Sequence, residues 1–343
     1  MRKNLLIAIM IAAVALITAL SVSAGGAREE AVDTPIELKL GHLSAETHPL
    51  HIATVHLKEY VEQATDGMVR IELFPASVLG GQSEMLEQTV IGSLEMVAIG
   101  AGPAAEYIPE YNAFALPFAF DDWLHYYRVL DDPEVQNHLR EEAARHGLQY
   151  INCWDWGPRV VTNSVREIRT PDDMRGMRIR VPDEIDKVLL FREVGADPTP
   201  IPFPELYSAL QTGVVDAQEN PVSTVYHQGF YEVQDYVTVT NHVLGHVSLL
   251  LNQDVWDALP SNARQAIIEG ANEARDLMRE LMQEEYEEAL QGLRDNGMQV
   301  TELSPAEQET WREAGSRVWP QMYDVAGGRD YVEWFLDRVD TAR

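Results

Sequence analysis

The side chains able to do chemistry in this chain do not form a catalytic set. There is no nucleophile elbow, P-loop or zinc-protease helix. The ten histidines offer no i, i+4 metal pair with a third ligand at useful spacing. His48 and His51 stand three apart at a helix start and read as solvated. Cys153, inside a strand between Asn152 and Trp154, reads as a buried, inert thiol. What remains is a group of polar and aromatic residues at strand ends, where open α/β sheets collect ligands. Arg178 and Arg180 lie one alternation apart on one strand face, so that face meets either solvent or a cleft. Arg159 begins a strand just past Gly157-Pro158, and Asn220-Pro221 ends one after Gln218-Glu219. Phe203 is held on a stiff turn between Pro202 and Pro204, where core packing would also suit it. Such residues suit holding a ligand better than transforming one.

The elements that must position them alternate. Period-two apolarity predicts a strand over 36–40, and further strands are expected over 69–74, over 95–99, where the apolar run reads as buried, and over 148–153. Helices are expected over 49–64, 82–91 and 121–146, the last broken at Asp132-Pro133. After a break at Trp156-Gly157-Pro158 a second set follows. Its strands are 159–162, 177–181, 214–218, 236–240 and 246–251, and its helices are 184–194 and 205–212. Residues 261–295 read as one helix, interrupted only by Gly270 and Gly292, with Ser261 able to cap its start. At 1.5 Å per residue it is about 50 Å long, enough to run along two small domains. A strand over 298–303 and helices over 305–322 and 331–339 complete the chain. The pattern predicts an α/β fold with helices on both faces of a parallel or mixed sheet.

The chain has 343 residues, and its formal charge is −29, from 55 acidic and 26 basic side chains. So negative a field argues against a nucleic acid or an anionic membrane as the main partner. One cysteine excludes an intramolecular disulfide framework. Arg2 and Lys3 precede an apolar run over residues 5–20, and Val22-Ser23-Ala24 ends in the small-x-small pattern of a cleavage site. Residues 1–24 are therefore expected to be a signal peptide directing the chain to the periplasm, and 25–34 a disordered lead.

From residue 35 to 303 the chain resembles the DctP-type solute-binding proteins of TRAP transporters. The resemblance rests on Phe74-Pro75-Ala76-Ser77-Val78-Leu79-Gly80-Gly81 and on the run from Thr170 to Pro182 containing Met177-Arg178-Ile179-Arg180-Val181-Pro182. It is most specific from Pro200-Ile201-Pro202-Phe203-Pro204-Glu205 through Gly213-Val214-Val215-Asp216-Ala217-Gln218-Glu219-Asn220-Pro221. It implies a two-domain periplasmic-binding-protein-like fold with a ligand cleft, hinge strands and a long domain-spanning helix. The expected division is 35–157 plus 246–285, then 158–245 plus 286–320, with 321–343 a C-terminal helix.

By the same resemblance Arg180 pairs with a ligand carboxylate. A guanidinium fork fixes both the plane and the charge of such a group. Arg159 matches a second family arginine, Asn220 the asparagine that reaches the ligand, and Phe203 the cleft aromatic. His42 and Glu84 lie where the first domain contributes contacts. Trp156 departs from the family pattern and offers a stacking face, which points to a sugar acid such as a uronate rather than a small C4-dicarboxylate. The implied partners are a carboxylate ligand and the TRAP membrane subunits, with a monomer as the default and no cofactor. Input to a sensor kinase and enzymatic turnover are the competing classes. No base-and-nucleophile pair supports the latter.

Overall fold

The computed structural model describes residues 35–343, so the expected signal peptide and lead lie outside the described residues. Ten strands occur among them: β1 (Ile36–His42), β2 (Val69–Phe74), β3 (Met96–Gly100), β4 (Leu148–Asn163), β5 (Arg178–Val181), β6 (Asp197–Pro200), β7 (Ala217–Pro221), β8 (Tyr236–Val239), β9 (Leu244–Asn252) and β10 (Gln299–Glu302). The helices of the first half are α1 (Pro49–Ala64), α2 (Gln82–Val90), α3 (Ala101–Ala104), α4 (Trp123–Leu130) and α5 (Pro133–Arg145). The rest are α6 (Ile185–Glu193), α7 (Leu206–Gln211), α8 (Val222–His227), α9 (Gln253–Ala258), α10 (Ser261–Asp295), α11 (Pro305–Ser316), α12 (Trp319–Met322) and α13 (Arg329–Thr341).

The sheet order is β2-β1-β3-β9-β4-β7-β5-β6, with β8 on β4 and β10 on β8. β1 and β3 are parallel, while β9 runs antiparallel between β3 and β4. In the second lobe β7, β5 and β6 are mutually parallel. One strand serves both lobes. Residues 148–158 of β4 pair with β9, and residues 159–163 pair with β7 and β8. The sequence reads a break at Trp156-Gly157-Pro158, but the structure has one strand of 16 residues there. Gly157 takes φ +79°, and the β9 register slips between Asp155 and Gly157. The breaker residues therefore mark a bulge that re-aims the strand, not its end.

β4 also divides the second core. Val160 and Val161 point to opposite faces, as period two requires. Val161 joins a cluster with Ile179, Phe191 and Trp311, and Val160 one with Leu206, Phe230 and Leu293. The first lobe buries Phe114, Leu139 and Leu250 together with Val332 and Phe335 of α13. Burying each such side chain contributes about 1.5–3 kcal/mol.

The long helix α10 runs along both lobes, and its two glycines sit where it is approached. A β-carbon on Gly270 would stand 2.9 Å from Tyr60 Cδ1 of α1, and one on Gly292 would stand 2.5 Å from Tyr226 Cε2 of α8. Glycine inside a helix costs about 1 kcal/mol; here it permits close packing. Ser261 does not cap this helix. Pro260 occupies the cap position and Ser261 is the first helical residue, with no side-chain cap hydrogen bond. The segment that ends β3 forms the single turn α3. No helix among the described residues is long and apolar enough to cross a membrane.

Candidate functional site

A cleft opens where β3, β4 and β9 meet the start of α6, with α3 opposite. The space in it is about 20 Å³, room for about one water. Gly100, the last residue of β3, makes way for Trp156: a β-carbon there would lie 2.8 Å from Trp156 Cζ3. The Trp156 indole is buried in the cleft wall and its Nε1 has no hydrogen-bond partner among the described residues. His246 of β9 lines the same wall. Its Nδ1 meets the Tyr126 hydroxyl at 2.5 Å, and its Nε2 has no partner among the described residues. Burial draws its imidazole down to about 3, with the Lys187 charge acting in the same direction, so it is neutral at pH 7.

Three buried cations gather at this end of the sheet. Arg159 is a bidentate donor to Glu219: Nε to Oε2 at 2.5 Å and Nη2 to Oε1 at 2.7 Å. The antiparallel β4–β7 register sets Val161 against Glu219, which brings that carboxylate to Arg159. His242 Nε2 lies 3.2 Å from the same carboxylate and Thr240 Oγ1 lies 2.8 Å from His242 Nδ1. Against burial, which would raise it, the Arg159 charge and the His242 hydrogen bond hold the Glu219 carboxyl well below its usual range. Lys187 pairs with Glu184, and with Asp186 at 2.9 Å. Burial pushes the Asp186 carboxyl upward against the pull of Lys187.

Arg180 is different. It is 2% exposed, yet its only hydrogen bond among the described residues runs from Nε to the Ile201 carbonyl at 2.8 Å. No carboxylate among the described residues lies within 4 Å of it. Burial brings its guanidinium down to about 10, against the attraction of Glu219, so it stays charged at neutral pH. Its Cζ stands 6.0 Å from the Phe203 ring centroid, and Phe203 is half-buried. Neither residue lines the small space itself. Arg178 points outward and is paired with Asp216.

Of the residues singled out from the sequence, Trp156 and Arg159 line the cleft. Asn220 is buried beside them, accepting from Arg159 Nη2 at 3.3 Å and donating to Gln218 Oε1 at 2.6 Å. Glu84 and His42 do not line it. Glu84 is exposed and its carboxylate accepts from Gly81 N–H at 2.8 Å, capping α2. His42 is buried beside His51, at 3.2 Å between ring nitrogens. His48, expected in solvent, is buried: Nδ1 accepts from Leu50 N–H at 3.0 Å, and Nε2 meets Ser223 Oγ at 3.2 Å. The reason is tertiary, since α8 covers the start of α1 there. Cys153 is buried, and burial pushes its thiol up to about 11.

Sequence reasoning missed Glu184, Lys187, Glu219 and His246. Lys187 carried a signal, as one of only four lysines and at a helix start just past β5. His246 carried none, because a strand histidine reads alike on either face.

The model of the DctP family, bacterial extracellular solute-binding protein family 7, matches residues 40–325. The chain is 30% identical over 298 residues to the 2,3-diketo-L-gulonate-binding periplasmic protein YiaO of Escherichia coli, covering 86% of this chain and 90% of that protein. It is 31% identical over 324 residues to the C4-dicarboxylate-binding periplasmic protein DctP of Rhodobacter capsulatus, covering 93% of each. Its structure resembles that of the sugar acid binding protein DctPAm of Advenella mimigardefordensis in complex with galactonate. The TM-score is 0.87 and the identity 32%, over 90% of this chain and 99% of that one.

Proposed function

The chain belongs to family 7 of the bacterial extracellular solute-binding proteins, and from that membership we propose that it is a periplasmic receptor for a sugar acid, which it delivers to a TRAP membrane permease. The observation that carries the choice of ligand is the charge balance of the site. Arg159 and Lys187 already have carboxylate partners, and among the described residues only Arg180 of the three cations has none. One free guanidinium suits one carboxylate. A second carboxylate would meet Glu184, Asp186 and Glu219 without a free countercharge. Trp156 Nε1 and His246 Nε2 are neutral and unpartnered, and hydroxyl groups satisfy such atoms. The ligand is thus a polyhydroxy monocarboxylate, an aldonate or a uronate. The galactonate complex of the Advenella mimigardefordensis protein agrees with this choice.

In this reading Arg180 holds the carboxylate, Phe203 packs on the carbon skeleton, and Arg159, Asn220 and Trp156 contact the remainder. The lobes divide near Gly157 and swing about β4 and β9. In this reading the ligand enters when the lobes part and is held when they close. The chain works as a binder without turnover, and it is exported by its N-terminal segment. Thermal-shift measurements across organic acids test the proposal. Ligand at a hundred times its dissociation constant adds about 2.7 kcal/mol of stability. Aldonates or uronates are expected to shift the midpoint by several degrees and succinate not to. A shift by succinate alone overturns the sugar-acid assignment and leaves the receptor assignment standing.

A further inference from the structure

Away from the cleft, the short helical turn at Pro109–Ala115, helix α5 and the C-terminal helix α13 converge around three side chains. These are Glu110, His138 and Glu142, each half-buried. His138 and Glu142 are four apart on one face of α5, and Glu110 comes from outside the helix. One ligand atom from each lies within 4.8 Å of the others. Several of the polar atoms here lack a hydrogen-bond partner among the described residues. Glu110 Oε2 and His138 Nε2 are buried without one, and so is the hydroxyl of Tyr331. Tyr331 is only 9% exposed, and its ring stacks on His138 at 4.7 Å between centroids, 19° apart. Glu110 and Tyr331 flank the same glycine: a β-carbon on Gly327 would stand 3.0 Å from both Glu110 Cγ and Tyr331 Cδ1. A buried polar atom without a partner costs about 1–3 kcal/mol. A group of them at one point is what a bound ion resolves.

We propose that Glu110, His138 and Glu142 form a binding site for a divalent transition-metal ion, with zinc the best fit. The donor set is one imidazole nitrogen and two carboxylates. That set suits zinc and its neighbours and does not suit calcium or magnesium, which take oxygen ligands only. His138 Nε2 and Glu110 Oε1 are 4.0 Å apart. Donors across a tetrahedral zinc stand about 3.3 Å apart, so a small side-chain adjustment closes the site. The Tyr331 hydroxyl then donates to a ligating carboxylate and orients it. Glu142 now accepts from Arg145. Arg145 is largely exposed and is free to turn away. The ion would tie the turn at Pro109–Ala115 to α5, with Tyr331 of α13 joined to them through its hydrogen bond to a ligand. The sequence alone did not find the site, because its third ligand lies far from the helical pair and only the fold brings it there.

The test is calorimetric titration of zinc chloride into the untagged protein after removal of metal with chelator, with cobalt substitution as the spectroscopic readout. One equivalent of zinc and the visible absorption of four-coordinate cobalt are expected. His138→Ala and Glu142→Gln should each weaken zinc binding at least tenfold, while Tyr331→Phe weakens it less. Circular dichroism checks that each variant is folded, and Glu142→Gln, which keeps the shape of the side chain, serves if His138→Ala is not. Two other histidine–carboxylate contacts, the exposed pair His56 with Glu273 and the largely buried pair His227 with Glu285, are the controls. If zinc fails to bind, or if its binding is lost in His56→Ala or His227→Ala but retained in Glu142→Gln, the proposal is wrong.

Discussion

Glu184 lies against Gly102 across the cleft, so closely that a β-carbon on the glycine would be 2.0 Å from the carboxylate carbon. Glu184, the residue just before α6, is tied to Lys187 of that helix and cannot swing aside without breaking that pair. The approach of α3 to α6 therefore depends on there being no side chain at position 102. Gly102→Ala should oppose closure at a cost of about 1–3 kcal/mol, the usual range for overpacking. Calorimetry should show sugar-acid affinity reduced by about tenfold or more. Gly102→Ala with Glu184→Ala should recover much of it. Small-angle scattering of the single variant with saturating ligand should keep the larger radius of gyration. Compaction equal to that of the parent would show that the contact does not limit closure.

Arg180→Ala should abolish useful binding and leave the fold intact, because this guanidinium has no carboxylate partner to leave stranded. Removing one member of a buried ion pair costs about 3–5 kcal/mol, so the loss is on the order of a hundredfold or more. Arg180→Lys should rescue part, since an ammonium cannot make the bidentate fork. Arg178→Ala, where the side chain is paired with Asp216 at the surface, should bind as the parent does. Titration of all three with one sugar acid decides the matter. A crippled Arg178→Ala beside a normal Arg180→Ala would mean the site is elsewhere.

Arg159 behaves oppositely, because its guanidinium is occupied by Glu219. Arg159→Ala leaves a buried carboxylate beside His242, and should lower folding stability by about 3–5 kcal/mol. Changing both partners, Arg159→Met with Glu219→Gln, should be milder than the single change. Denaturant unfolding of the two variants provides the comparison. A harmless Arg159→Ala would show that the pair does not hold β4 to β7.

Asp155, beside the bulge at Gly157, gives a pH signature. Its carboxylate accepts from the Tyr127 hydroxyl at 2.6 Å and from Gly157 N–H at 3.0 Å, but burial prevails and pushes it up to about 6. A carboxyl raised in the folded state favours folding fully below its unfolded value of 3.8. That contribution is lost as the pH rises through about 6. The shift corresponds to roughly 3 kcal/mol. Asp155→Asn removes the titration, so its stability relative to the parent should rise between pH 4 and pH 7. Parallel curves for the two proteins over that window would show that Asp155 titrates normally.

Local pattern alone determined most of the elements. Pro49 and the apolar positions Leu57 and Val61 set α1, and residues 261–295 set α10 with both ends correct. Those signals are periodicities, and periodicity is local. Contiguous runs such as residues 170–182 and 200–221 carried the family resemblance and drew attention to Arg180, Arg159 and Asn220. Tertiary structure decided what each of these faces. Gly157 reads as a strand end until β9 is seen to pair across it and make it a bulge. Arg159 and Arg180 look alike in sequence, yet the β4–β7 register gives one of them Glu219 and leaves the other unpaired. His48 is solvent-facing by position, and α8 buries it. Which charge is satisfied and which polar atom is stranded depends on groups brought together from distant parts of the chain, and no spacing along one segment records that.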